Sequence, residues 1–341
     1  PPFVYELSRR LARHFDIIVL TPDYPGALAS EEMAALQVHR FRYFFKKLEL
    51  LAGSEGILPT LKKRPLFNLL VPFFLLGELR ALLKLTRKTK PDIIHAHWIL
   101  PQGFIAALAK KITGVPYIVT IHGGDIYGMQ GRLATALKRY ALHNAAHVKV
   151  VSKDIQKTIT QKFGEEIPTE VLSLGVDSQL FHPDKKSPAL REKYKISGPF
   201  LLFVGRINEK KGFRYLIEAM VAVLNNFPEC KLLIIGTGEL HQELSRLVVS
   251  LGLQENVIFH NRFVKDDELH NFLCAADIYV TPYLAREQLT SGTLAYAVGT
   301  GKTVVSTEYW AAQELLASGR GKLVRFGDSR DLADSIIELF D

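Results

Sequence analysis

Two loops of this 341-residue sequence carry residues suited to an anion. In GRINEKKG, Gly205 permits a tight exit from the apolar run LLFV, and Arg206 and Lys211 bracket a short loop ahead of FRYLIEAM. Arginine grips a diphosphate through two parallel N–H bonds and lysine adds a point charge, so the pair suits a pyrophosphate. The second stretch, residues 280–307, runs from a strand end through a loop holding Glu287 to Thr290, Ser291, Gly292 and Thr293. A helix that starts on TSGT offers free backbone N–H groups, hydroxyls and a positive dipole end. Glu287, just before it, would sit where a sugar projects from the pyrophosphate. Both loops have a plainer reading, as a solvated lysine-rich turn and an ordinary exposed glutamate.

Three further motifs call for weighing. IIGTGEL is a strand, a Gly-x-Gly turn (Gly236, Gly238) and a helix, and close turn packing explains it as well as a ligand does. HGGD ends another strand; His122 can hydrogen-bond a sugar hydroxyl or phosphate, and Gly123 lets backbone approach a ligand, although a histidine bonded within its own turn fits equally. His95 and His97 alternate on one strand and so share a face. His97, at the strand end, reads as a ligand-facing residue and His95 as a core one. With no carboxylate or cysteine spacing to complete a site, no metal is expected. GTGKT (299–303) resembles a phosphate-binding loop but is not one. Tyr296 stands where the full motif needs glycine, and the segment ends a helix and opens a strand, the reverse of the required order. Gly301 reads as a helix C-cap.

The elements that must position these residues alternate. Val4, Leu7, Leu11 and Phe15 have helical spacing, and a strand over 16–22 follows. A helix followed by a strand is half of an α/β unit, which implies a first strand ahead of it. Strand-like 37–45, a loop over 53–65, a helix over 66–85 and a strand over 91–98 come next. A helix stopped at Gly114, the strand ending in HGGD, helices over 133–143 and 153–163, and strands over 147–152 and 170–177 complete the half. Residues 178–198, rich in proline and charge, read as a linker. Beyond it PFLLFVG, KLLIIG, VIFHN, DIYVTP, KTVVST and GKLV are strands with helices between them. Such alternation predicts an α/β protein of two Rossmann-like, doubly wound parallel-sheet domains, 1–180 and 181–341, facing a cleft at the carboxyl ends of their strands.

The bulk properties fit a globular chain, with 48% apolar residues and a mean hydropathy of +0.08. Cys230 and Cys274 lie in apolar contexts, which points to a reducing compartment. The net charge of +8 is concentrated: residues 40–90 hold twelve basic residues against Glu49, Glu55 and Glu78, for +9. This segment reads either as a solvated helix face or as a contact for an anionic membrane or another polyanion. Nucleic acid is not expected, since no binding module accompanies the charge. No signal-peptide pattern is visible, and no run approaches a membrane span, because the apolar 69–76 is interrupted by Pro72.

Taken in order, VYELSRRLA, PDIIHAHWILPQG, TIHGGD, VVSKDI, LGVDSQLFHP, FVGRINEKKGFRYLIEAM, IIGTGEL, AADIYVTPY and SGTLAYAVGTGKTVVS resemble the retaining, nucleotide-sugar-dependent glycosyltransferases of group 1 (family 4), with the GT-B architecture. The resemblance implies that Arg206 and Lys211 hold the donor diphosphate, that the helix from Thr290 caps the same phosphates, and that His122 contacts the donor near the reacting centre. It implies that Glu287 or Gln288 is the first acid of a paired-glutamate motif binding donor-sugar hydroxyls. Tyr296 (or Ala295) stands where the family has its second glutamate, a ribose ligand. The family's first strand, its glycine-rich acceptor loop and its final crossover helix have no counterpart. The function expected is transfer from a UDP- or GDP-sugar, without metal or other cofactor, to a hydroxyl on a lipid-linked or cell-envelope glycan. The implied location is the cytoplasm, at the inner face of the membrane. A binding protein without turnover and a nucleotide-sugar epimerase are the alternatives.

Overall fold

The computed structural model describes residues 2–52, 56–173, 175–183, 188–286 and 291–341. The chain forms two compact units, Pro1–Ser173 and Leu174–Asp341. The junction lies ahead of the expected 180/181 boundary because the second core recruits the chain early. Phe181 is 2% exposed and belongs to that core, with Val176 packed against it. The expected linker is also not all irregular, since Pro188–Lys193 is helical.

In the first unit, β1 (Ile18–Pro22), β2 (Ser30–Met33) and β3 (Leu36–Phe41) form one sheet in the order β1-β3-β2. β1 pairs with β3 in parallel, and β2 with β3 antiparallel. A second sheet, all parallel, runs β4 (Ile94–His97), β5 (Tyr117–Ile121), β6 (His147–Val150) and β7 (Thr169–Val171) in sequence order. The described strands of this half therefore make two sheets where one continuous sheet was expected. The stretch expected to be a loop at 53–65 contains the helix Ile57–Lys63, with Pro59 in its first turn, where its missing N–H removes no helical bond. Pro72 likewise sits at the start of Val71–Thr89 and does not interrupt it. Helical structure runs over Pro65–Thr89, 25 residues, and an 18-residue stretch within it has a mean hydropathy of 1.7, long and apolar enough to cross a membrane by length and composition, which corrects the expectation from Pro72.

The second unit is one parallel sheet of β8 (Phe200–Val204), β9 (Lys231–Ile235), β10 (Val257–His260), β11 (Ile278–Thr281), β12 (Thr303–Thr307) and β13 (Lys322–Val324). These six are the strands expected. Their order is β10-β9-β8-β11-β12-β13. FLLFV, LLII and IYVT are buried throughout, as strands covered on both faces must be. The helix Phe213–Asn226 buries Phe213, Leu216, Ile217, Met220 and Val223 at steps of three or four, one apolar stripe against the sheet. Each such side chain contributes about 1.5–3 kcal/mol. Strand order reverses between β8 and β11, and in open sheets of this kind ligands bind beside the carboxyl ends at that reversal.

Candidate active site

The reversal point of the second unit is flanked by the loop after β8 and the loop after β11. Backbone contacts knit the first of these to the loop after β9 on one side and to the loop after β11 on the other. Gly205 N–H donates to the Ile235 carbonyl (2.9 Å) and Ile207 N–H to the Thr237 carbonyl (2.9 Å), prolonging the sheet ladder past the strand ends. A Cβ placed on Gly236 would overlap the Gly205 carbonyl oxygen, and one on Gly238 the Ile207 carbonyl oxygen. Gly212 (φ +66°) faces the Pro282 carbonyl in the same way, and Leu284 N–H donates to Lys210 at 2.9 Å. These turns need glycine because backbone meets backbone there.

This packing brings the predicted cation and the predicted helix tip onto one tyrosine. The Lys211 ammonium lies 3.4 Å from the centre of the buried Tyr283 ring, a cation–π contact. The Tyr283 hydroxyl is 3.5 Å from Ser291 Oγ, which is also 3.5 Å from Thr293 Oγ1. Ser291 is the N-cap of Gly292–Gly299 and accepts from Leu294 N–H at 3.3 Å. Tyr283 is fixed in turn by stacking on Tyr309 (4.9 Å between centres), and its carbonyl accepts from Thr307 Oγ1 at 2.6 Å. Arg206 is exposed on the loop after β8. Glu287, Gln288 and Thr290 lie outside the described residues.

Two other positions have structural roles. Tyr296 stacks on Phe181, with centres 4.2 Å apart and planes at 7°. Lys302 donates to the carbonyls of Cys274 (3.2 Å) and Ala276 (2.9 Å), at the C-terminal end of the helix Asp266–Ala275. Gly301 (φ +66°) follows the C-cap Thr300, and the bonds Gly301 N–H to Val298 and Lys302 N–H to Ala297 close the helix. GTGKT is thus a helix stop, in keeping with its rejection as a phosphate loop.

In the first unit, His97 ends β4 and His122 follows β5, with His97 Nδ1 and His122 Nε2 3.1 Å apart. His95 stacks on His97 (4.4 Å) and hydrogen-bonds Thr120 Oγ1 at 2.8 Å, so it is half-buried beside the site and not in the core. Burial, and then the neighbouring imidazoles, push His97 down to about 3 and His122 to about 4. Burial, and then Lys149, push His95 to about 4. All three are therefore neutral at pH 7 and offer one donor and one acceptor nitrogen each. Phe3 and Trp98 wall His122, at 4.6 and 5.3 Å between ring centres. Among the described residues no group of three or more His, Cys, Asp or Glu is placed to hold a metal ion.

Sequence reasoning missed three residues here. Asp125, the acid of HGGD, is buried, and its carboxylate accepts from Ile99 N–H (2.9 Å), Gly123 N–H (3.0 Å) and His122 N–H (3.2 Å). It thereby sets the loop carrying His122 and Gly123. The sequence assigns no role to Tyr283, just past the strand DIYVTP. Asn208, between Arg206 and Lys211, has a buried Oδ1 with no hydrogen-bond partner among the described residues. Asparagine after a strand–glycine turn was the available signal.

Comparison with known proteins bears on the same segments. The family model described as Glycosyltransferase Family 4 matches residues 2–180, and that of Glycosyl transferases group 1 matches residues 198–341. The chain is 26% identical over 259 residues to the 2-deoxystreptamine glucosyltransferase of Streptomyces kanamyceticus, covering 67% of this chain and 65% of that one. It is 29% identical over 189 residues to the GDP-mannose-dependent alpha-(1-6)-phosphatidylinositol monomannoside mannosyltransferase of Mycolicibacterium smegmatis, covering 54% and 49%. The chain thus spans half to two thirds of the length of these curated relatives. Among solved structures, sucrose-phosphate synthase from Thermosynechococcus elongatus matches with a TM-score of 0.74 at 19% identity, covering 99% of this chain and 83% of that one. Anabaena HepE in complex with UDP matches with 0.69 at 21%, covering 95% and 89%. At such identities these two establish the fold, of two Rossmann-like parallel-sheet domains. The family-model match over more than half of the residues settles the lineage: the chain belongs to glycosyltransferase family 4.

Proposed function

We propose that the protein transfers a glycosyl unit from a UDP- or GDP-sugar to a hydroxyl acceptor, with retention at the anomeric carbon. The carrying observation is that the Lys211 ammonium and the Ser291 helix tip meet on Tyr283, beside the strand reversal of the second unit. Family membership supports the reaction class, and a relative named for GDP-mannose and a structure holding UDP support the donor class.

In this reading the bond between the anomeric carbon and the diphosphate oxygen breaks, and negative charge grows on the leaving nucleoside diphosphate. Arg206, Lys211 and the N–H groups opening Gly292–Gly299 stabilise that charge. Only stabilisation that strengthens as the charge develops accelerates the step. The acceptor hydroxyl attacks on the face that the diphosphate leaves, and its proton passes to the leaving phosphate oxygen. Glu287 or Gln288 holds donor-sugar hydroxyls, and Gly205, Gly236 and Gly238 let backbone approach the donor. His122 and His97, neutral and half-buried, hydrogen-bond substrate hydroxyls at the edge of their own sheet. With the charge met by side chains and a helix end, transfer should persist in a metal chelator. The acceptor class is a lipid-linked or cell-envelope glycan, used at the inner face of the cytoplasmic membrane.

Thermal shift against UDP- and GDP-sugars identifies the donor, because a ligand of the folded state raises the melting temperature. Transfer assays on Arg206→Ala and Lys211→Ala then test the site. Loss of about 100-fold or more in kcat/KM is expected for each, and wild-type rates in both would remove the site assignment. Tyr296, in place of a carboxylate, keeps one second reading open: donor binding with neither transfer nor hydrolysis would make this a nucleotide-sugar-binding protein.

A further inference from the structure

The basic segment 40–90 has one continuous exposed face. Along Pro65–Thr89, positions 66, 69, 73, 76, 80, 84 and 87 recur at steps of three or four, and all are exposed. The first four are apolar: Leu66 is 80% exposed, Leu69 73%, Phe73 48% and Leu76 59%. The next three are Arg80, Lys84 and Arg87. Phe45, 73% exposed, extends the apolar part, since Phe44 touches both Phe45 and Phe73 with ring centres 5.0 Å apart. Leu70, Phe74, Glu78 and Thr86 turn the other way and are buried.

Charge on this face has a single sign. Glu49 is buried, accepting from the N–H groups of Tyr43 and Phe44. Glu78 is buried too, and burial lifts its carboxyl to about 8, so it is mostly neutral at pH 7. Among the described residues of 40–90, every exposed charge is therefore positive.

We propose that this face rests on an anionic lipid bilayer, Phe45, Leu66, Leu69, Phe73 and Leu76 entering the acyl boundary while Arg80, Lys84 and Arg87 meet the headgroups. An apolar stripe continued by cations is what an interfacial helix requires: burial of apolar area plus attraction to a negative surface. A spanning arrangement would pull Phe74 and Glu78 out of the first unit and carry Arg80 into hydrocarbon. A second copy of the same face is disfavoured, because a two-fold contact would oppose positive charge to positive charge. The inference goes beyond glycosyl transfer and stands whichever donor is used.

The test is co-sedimentation of the full chain with phosphatidylcholine vesicles, with and without phosphatidylglycerol. Binding to the anionic vesicles, reversed by high salt, is expected. Lys84→Ala with Arg87→Ala should weaken it about thirtyfold. Leu69→Glu with Phe73→Glu should lose it, with circular dichroism and melting confirming an intact fold. Equal binding to both vesicle types, or unchanged binding in both variants, overturns the proposal. So does pelleting that resists alkaline carbonate, which would mean a span, or a dimer broken by Phe73→Glu without vesicle binding.

Discussion

The stacked imidazoles His95, His97 and His122 should refuse protons well below the pH at which free histidine takes them. An unfolded chain titrates these groups near about 6.5, whereas in the folded protein they lie at about 4, 3 and 4. Their folded values are lowered, so the unfolded state binds more protons between pH ~6.5 and the folded values. Folding stability is then whole above the unfolded value and drains away as pH falls through that window. At about pH 5 the unfolded state is nearly fully protonated at each position and the folded state hardly at all, worth about 2 kcal/mol per histidine. Titration of the imidazole Cε1–H resonances should show no midpoint for His97 above about pH 5. Urea unfolding should show that His97→Gln loses about 2 kcal/mol less than wild type between about pH 7 and pH 5. A His97 midpoint near 6.5 would refute the claim that burial and mutual stacking hold these rings neutral.

Gly236→Ala drives a methyl into the Gly205 carbonyl at φ +143°, and should cost about 2–4 kcal/mol in thermal or urea unfolding and weaken donor binding. Gly301→Ala, also at positive φ but with its nearest neighbour, Pro183, 3.5 Å away, should cost only about 1 kcal/mol. Lys302→Met removes two carbonyl bonds and should destabilise by about 1–3 kcal/mol while leaving nucleotide affinity unchanged. Asp125→Ala strands three N–H groups around His122, and is expected to lower the melting temperature through a loss of about 3 kcal/mol or more.

What could be read in advance follows from what each element buries. The second unit's strands are unbroken apolar runs because helices cover both faces, so their number and limits were plain. β2, with the sequence SEEM, is mostly exposed, and although Ser30 and Glu31 bond to His39 and Arg40 across the pair, no apolar alternation announces a strand. Pro72 misled, because it sits at a helix start where proline is tolerated. Lys211 and Ser291 were legible as charge and cap. That they meet through Tyr283 was not, since the contact joins residues 72 and 8 positions from Tyr283 that only the strand reversal brings together. Glu49 and Glu78 counted as surface charge in the sequence, yet folding hides both.

The glycines at 212, 236 and 238 leave the three loops at the strand ends almost no latitude as frameworks, because each is pinned to a neighbour by main chain alone. A protein engineer wishing to change what this chain accepts would gain nothing by lengthening those turns. Retuning would have to come from the few side chains held between the pins, Asn208, Glu209 and Thr237 foremost, each exchangeable on a scaffold that stays put.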